Sequence, residues 1–306
     1  MSRVKEYRFK TVGIVLACLV LIIAGCKQDK VDPETYRAEL EQWRAERLNK
    51  LKSRKGWLNL AGLYWLRPGL NTFGSDMSNT LVFPAKAPAF MGTMELRGDT
   101  VYLRSTAVPV WIDSIPATGM KLNDDVTGKP TIMTHHPFAW NVIKRGKRYG
   151  IRLRDYESVL LDSLNSIPCF ETDQRYRIVA SFKSYAKPER SKVQNMIGTE
   201  EENLIPGELH FRIFGKKQVL YPFSENGDLF LVFGDLTNGE ETYPSGRFLY
   251  TSAPDDHGRV ILDFNKAYNP PCAFTPFATC PLPIRKNILS VRIPAGEKVV
   301  HLSPVH

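Results

Sequence analysis

The chain has 306 residues, 43% of them hydrophobic and 24% charged, a balance that suits a folded globular protein and excludes an intrinsically disordered one. Its formal net charge of +9 includes four basic side chains and one acid within residues 1–25, so the rest carries only a modest positive excess. That excess favours solubility and weak attraction to anionic surfaces; it is not the footprint of a nucleic-acid partner, and none is expected.

Arg3, Lys5, Arg8 and Lys10 precede an apolar run over 11–25. A basic start, an apolar stretch too short for a stop-transfer helix and small residues at Ala24-Gly25 predict a secretory signal peptide over 1–25. The run Ile23-Ala24-Gly25-Cys26 resembles a bacterial lipoprotein lipobox. The resemblance implies cleavage before Cys26, acylation of Cys26 with palmitate among its lipids, and a cell-envelope protein held to the membrane through that lipid. Lys27, where an Asp would favour inner-membrane retention, leans the expectation toward the outer membrane. An uncleaved N-terminal anchor is the alternative.

Residues 27–31 are a polar tether. Asp32-Pro33-Glu34 then supplies an N-cap, a proline for the first turn and an acid at the positive helix end. Tyr36, Leu40, Trp43, Leu48 and Leu51 recur at helical spacing, which predicts one amphipathic helix over 33–51 and assigns 26–52 to lipidated Cys, tether and helix. From Gly56 onward the apolar residues alternate or come in short runs between Gly, Pro and Asn. Hairpins are expected at 94–96/101–103, 140–144/149–153 and 209–214/218–221, each closed by a glycine-containing turn. Further strands are expected at 176–182, 229–234, 246–251, 258–263 and 287–293, with Leu229-Phe230-Leu231-Val232-Phe233 buried on both faces. The fold class is therefore mainly β: an N-terminal amphipathic helix followed by two packed β-sandwich or β-sheet units, divided into 53–145 and 146–306.

The rhythm of 66–75 and the strand ending at Phe83-Pro84 is similar to the opening of forkhead-associated β-sandwiches. This resemblance implies a sandwich but not phosphothreonine binding, because Ser75 stands where the binding Arg would be and no Ser-x-x-His follows. Farther on, DFNKAYNPPCAF, CPLP and AGEK, with GDLTNGEETYPSGRFL before them, resemble domain of unknown function family 1684 over about 146–298, beginning near Gly150-Ile151-Arg152-Leu153-Arg154-Asp155. That family brings no activity to carry over, so the chemistry is read from the residues.

Asp235 and Asp263 each follow a buried apolar strand, and Arg247 heads a third. If those strands are neighbours, the guanidinium can hold a carboxylate or phosphate while Thr237, Tyr243, Asn265 and Asn269 orient the ligand, and one desolvated carboxylate can act as acid or base. The competing reading is that these are turn residues and that Arg247 forms a buried ion pair. Arg152 and Arg154 share one strand face within a basic hairpin and suit an acidic glycan or lipid headgroup; a solvated hairpin is the alternative. Cys272 and Cys280 are a disulfide candidate in an oxidising envelope, or two packed thiols, and Cys272 after Pro270-Pro271 is a weaker candidate nucleophile. No metal or cofactor is expected from His135-His136 or Asp255-Asp256-His257, since adjacent residues seldom face one ion. The function expected is that of a membrane-tethered binding module with an anion-recognising pocket in the C-terminal domain, its ligand a small anion or glycan. The alternatives are an envelope hydrolase using Asp235 or Asp263 with Arg247, and a purely structural role.

Overall fold

A computed structural model of the chain describes residues 31–117 and 119–301. The expected signal peptide and Cys26 lie outside the described residues. No helix among the described residues is long and apolar enough to cross a membrane.

Helix α1 (Pro33–Lys52) starts where the capping residues place it: Asp32 Oδ2 accepts from the Thr35 N–H and hydroxyl, both at 2.9 Å. From Leu40 onward the chain forms one body, which α1 enters with Leu40 and Leu51 buried. Its packed stripe contains arginines as well as leucines. Arg44 donates to the Phe170 carbonyl at 3.3 Å; Arg47 reaches the Glu297 carboxylate at 3.2 Å and the Asn269 carbonyl at 2.9 Å, and lies 4.5 Å above the Tyr268 ring. The helix thus docks through long side chains whose stems pack and whose heads bond.

The first β unit contains β1 (Leu60–Trp65), β2 (Gly69–Gly74), β3 (Leu81–Val82), β4 (Gly92–Arg97), β5 (Thr100–Thr106), β6 (Trp111–Ile112), β7 (Ile115–Pro116), β8 (Met120–Leu122), β9 (Met133–His135), β10 (Phe138–Arg145) and β11 (Arg148–Asp155). They form a six-stranded sheet, β1-β11-β10-β9-β6-β7, and a five-stranded sheet, β3-β2-β4-β5-β8. Phe73, Met94 and Leu103 from one sheet meet Trp140, Val142, Ile151 and Leu153 from the other in a single core. The expected division at 145/146 falls in the turn of the β10–β11 hairpin and is corrected: both strands belong to this unit, because β11 pairs with β1 on its other edge.

A short helix, α2 (Val159–Ser163), leads to the second unit: β12 (Arg177–Gln194), β13 (Glu200–Ile213), β14 (Lys216–Leu220), β15 (Phe223–Glu225), β16 (Asp228–Phe233), β17 (Arg247–Thr251) and β18 (Arg259–Asp263). Sheets β14-β13-β12-β18 and β15-β16-β17 share a core in which Leu209 and Leu262 face Leu231 and Phe233. In β16, Leu229, Leu231, Val232 and Phe233 are buried, as their unbroken apolar run predicts, while Phe230 is only half-buried. The expected strand at 287–293 is corrected: Arg285–Asn287 is a 3-10 turn, and irregular chain follows. Its alternation is nevertheless used, for Leu289, Val291 and Ile293 are buried while Ile288 is exposed. The backbone is satisfied outside any ladder, with Leu289 N–H on the Gly234 carbonyl and Ile293 N–H on the Asp235 carboxylate.

Gly296 closes this segment at φ 80°, where an added Cβ would collide with the Ala267 and Phe264 carbonyls, and so delivers Glu297 to Arg47. Burial pushes the Glu297 carboxyl above the usual carboxylate range, against the opposing pull of Arg47. A carboxyl that holds its proton more tightly in the fold than in the unfolded chain takes up a proton on folding. Its contribution is therefore fully present below the unfolded value and lost as pH rises through the folded one. Denaturant titrations of wild type and Glu297→Gln across pH 4–8 should show the wild type losing ground to the variant as pH rises; a constant difference would contradict this assignment.

Candidate anion site at a buried arginine

The polar block of the C-terminal half is interlocked and dry. Arg247 and Asp235 pair at 2.6 Å with both side chains fully excluded from solvent. The same guanidinium donates to the carbonyls of Ile293, at 2.9 Å, and Ala295. Asp235 Oδ1 accepts from the Thr237 N–H at 2.9 Å, the Thr237 hydroxyl at 2.7 Å and the Ile293 N–H at 3.1 Å. Asp263 caps a 3-10 turn by accepting from the Asn265 backbone N–H, while the Asn265 side chain exchanges hydrogen bonds with the Asp173 backbone. Asn269 donates its backbone N–H to Glu297 and its side-chain amide to the Lys298 carbonyl. Asp235, Thr237, Arg247, Asp263, Asn265 and Asn269 therefore brace strand ends and return loops, and the expected cleft between Asp235, Arg247 and Asp263 is corrected to a solvent-free scaffold. Sequence alone could not distinguish these cases, because the same turn residues serve both.

The basic hairpin divides. Arg154 is spent on structure: its Nη1 donates to the Gly56 carbonyl and to Asn59 Oδ1, at 2.6 Å in the latter case, clasping the turn between α1 and β1. Arg145 pairs with Asp125 at 2.9 Å and bonds the Thr279 hydroxyl at 3.1 Å. Arg152 is different. It is 8% exposed, its Nε is buried without a hydrogen-bond partner, and no carboxylate or carbonyl among the described residues accepts from its guanidinium. Burial, together with the like charges of Arg145 and Arg154, pulls its pKa down to about 10. It remains a cation at neutral pH, and the carboxylate that acts on it, Asp125, is already held by Arg145. An uncompensated buried charge of this kind costs several kcal/mol unless a counterion joins it.

The register explains the burial. Tyr149, Ile151 and Leu153 of β11 face the sandwich core, so Arg152 lies on the outer face, directly opposite Asn141 of β10. Trp57, just before β1, lies 5.5 Å from the guanidinium, and Cys280 of the second unit is near enough to act on its charge. Trp57 in turn packs in one cluster with Tyr268, Cys272 and Cys280. Tyr243 lies close enough to the two thiols that their charge adds to burial in raising its phenol. Neither Trp57 nor Asn141 was singled out from sequence. Asn141 was within reach, since the two-residue turn at Gly146-Lys147 fixes which residue faces Arg152.

Cys272 and Cys280 are thiols in this structure, side by side, with the Cys272 N–H on Cys280 Sγ at 3.1 Å. The two units meet beside them at a cleft of about 910 Å³, whose walls include Lys86, Asp155 and Leu160 from one side and Cys272, Phe274 and Phe277 from the other.

Two packed β units with a buried, uncompensated cation at their junction define the protein in outline. Residues 162–298 match the family described as Protein of unknown function (DUF1684), so this C-terminal stretch carries that domain. The match begins after β11, which moves the start of the family-like block from about 146 to 162 and leaves Arg152 and Arg154 outside it. No curated protein matches the chain. Among solved structures, the chain is similar to the solution NMR structure of an uncharacterized protein from gene locus rrnAC0354 of Haloarcula marismortui, at 29% identity over 45% of this chain and 78% of that one. The TM-score of 0.39 is too low for that likeness to bear on the reading of the site.

Removing one partner of the Asp235–Arg247 pair leaves the other charged and buried. Asp235→Asn or Arg247→Met should each cost about 3–5 kcal/mol in equilibrium denaturation, whereas a solvent-lined catalytic pair would lose little stability.

Proposed function

We propose that the protein is an envelope binding module, tethered through lipid on Cys26, that recognises a small anionic ligand through Arg152. The observation that carries this reading is the buried guanidinium whose Nε has no hydrogen-bond partner among the described residues. A carboxylate or phosphate would complete its charge and fill its donors in the planar fork geometry suited to such groups. Asn141 on the adjacent strand adds a polar neighbour, and the Trp57 ring offers a face for the ligand's apolar or sugar body. An acidic monosaccharide and a phosphorylated headgroup both have this chemistry. The site stands at the junction of the two β units rather than within the C-terminal domain, and Arg154, Thr237, Arg247, Asn265 and Asn269 serve it only by holding the frame.

The tether rests on the lipobox-like Ile23-Ala24-Gly25-Cys26, and the forkhead-associated likeness over 66–84 is retained as a likeness of strand rhythm alone. The hydrolase reading needs Asp235 or Asp263 open to a substrate beside Arg247, and the dry Asp235–Arg247 pair gives it no support.

Thermal unfolding at constant ionic strength, with inorganic phosphate or glucuronate as the probe anion, tests the site. At 100-fold over Kd the wild type should gain about 2.7 kcal/mol, a rise of several degrees in Tm. Arg152→Met should lose that response and, without anion, melt at or above the wild-type temperature, because it removes a buried charge. A wild type indifferent to both anions, or an Arg152→Met protein that responds as wild type does, would overturn the proposal.

A further inference from the structure

We propose that Cys272 and Cys280 form an exchanging dithiol, in which Cys272 attacks a disulfide presented from the cleft between the β units and Cys280 resolves the mixed disulfide. The inference goes beyond the binding function above and does not require an anion at Arg152.

The two cysteines are eight apart in sequence, yet the Cys272 N–H lies 3.1 Å from Cys280 Sγ. Two local constraints bring them there. Pro270-Pro271 opens a 3-10 turn over Pro271–Ala273 and fixes the approach to Cys272. The chain on either side of Cys280 is pinned to the end of β12, with the Met196 N–H on the Cys280 carbonyl at 3.0 Å and the Leu282 N–H on the Gln194 carbonyl at 2.8 Å. The pair is asymmetric in the way exchange requires: Cys272 is half-buried on the wall of the 910 Å³ cleft, and Cys280 is buried behind it. The charges agree. A hydrogen bond from the Cys280 thiol holds Cys272 below the usual thiol range, while Cys280, as donor, is raised. Arg152 acts on Cys280 in the opposite sense, favouring loss of its proton when its turn comes. Cys169 offers a contrast: burial pushes its thiol up, and the thiol donates to the Ile167 carbonyl at 3.4 Å.

The chemistry balances without any outside electron carrier. The Cys272 thiolate attacks one sulfur of a disulfide R–S–S–R′, forming Cys272–S–S–R and releasing R′–S⁻, which leaves as a thiol after taking a proton from water. Cys280 gives up its proton and attacks the Cys272 sulfur, expelling R–S⁻, which takes that proton. One disulfide has then oxidised two protein thiols to the Cys272–Cys280 bond and been reduced to two thiols, and the reverse sequence regenerates the dithiol. The substrate class is an accessible disulfide or dithiol, with a largely apolar flank to match the Leu160, Phe274 and Phe277 walls.

The test uses the full chain, first reduced and freed of reductant, then exposed to oxidised glutathione and quenched with acid at intervals for peptide mapping. Cys272 should acquire glutathione at least about tenfold faster than Cys169, and that adduct should give way to a Cys272–Cys280 cross-link with release of a second glutathione. Cys280→Ser should stop at the Cys272 adduct, and Cys272→Ser should leave Cys280 unmodified. Arg152→Met should prolong the wild-type adduct without slowing its formation, a readout separate from the loss of anion response. Should either cysteine variant fail to fold, the wild-type order of adduct before cross-link decides alone. Equal rates at Cys272 and Cys169, or an adduct on wild-type Cys272 that never becomes a cross-link, would overturn the proposal.

Discussion

The structure depends on a hairpin buried on both faces. Trp140, Val142, Ile151 and Leu153 of β10 and β11 fill the first sandwich, while Ala139, Asn141, Ile143 and Arg152 on the reverse are buried as well, with the second unit reaching this hairpin at Thr279 and Cys280. An antiparallel sheet ordinarily keeps one face wet and polar. Here that face carries Asn141 and Arg152 at its middle and Arg145 and Arg154 nearer its margins, and is covered nonetheless. The apolar neighbours on it repay covering at about 25 cal/mol per Å², and Arg154 and Arg145 find acceptors at the margins. Arg152, in the middle, is desolvated against the Trp57 ring with its Nε left without a hydrogen-bond partner. The loop that carries the thiol pair meets this hairpin where Arg145 bonds the Thr279 hydroxyl.

Arg247 and Arg152 make an internal comparison. Both are buried on strands and both are depressed in pKa chiefly by burial, yet their surroundings are opposite. Arg247 has a carboxylate and two carbonyls, and Asp235 has three donors of its own, so the charges are neutralised where they stand. Such a constellation fixes the geometry of the strand ends and return loop. Nε is buried without a hydrogen-bond partner in both arginines; what separates them is the carboxylate and the two carbonyls that the Arg247 Nη groups reach and for which Arg152 has no counterpart among the described residues.

Local rules carried the reading of sequence a long way. The Asp-Pro-Glu start set the helix, and glycine-containing turns between alternating runs set β4–β5, β10–β11 and β13–β14 at their observed positions. The failures share a cause, which is that burial of a face is decided by distant chain. At 287–293 the period-two pattern correctly marks which residues point inward, but the ladder partner that would make it a strand is replaced by the Gly234 carbonyl and the Asp235 carboxylate. At 145/146 a family likeness extending back to Gly150 suggested a seam, whereas the hairpin turn binds the two sides into one sheet. Asp235 and Arg247 were legible as partners but not as dry ones. Arg152 was legible as a basic residue on a strand face but not as a covered one.

Charge accounting links the two chemical features of the junction. Arg152 and the thiol pair are neighbours, and each influences the cost of ionising the other. Charge on the Cys280 sulfur favours the Arg152 cation, and Arg152 in turn favours ionisation of Cys280. Oxidation to a disulfide takes away a thiol that can ionise beside the guanidinium. Under the two proposals, anion affinity and thiol redox state would then be linked, since a ligand that binds one state better shifts the equilibrium toward it by the same factor. The buried arginine is the term the two features of the junction share.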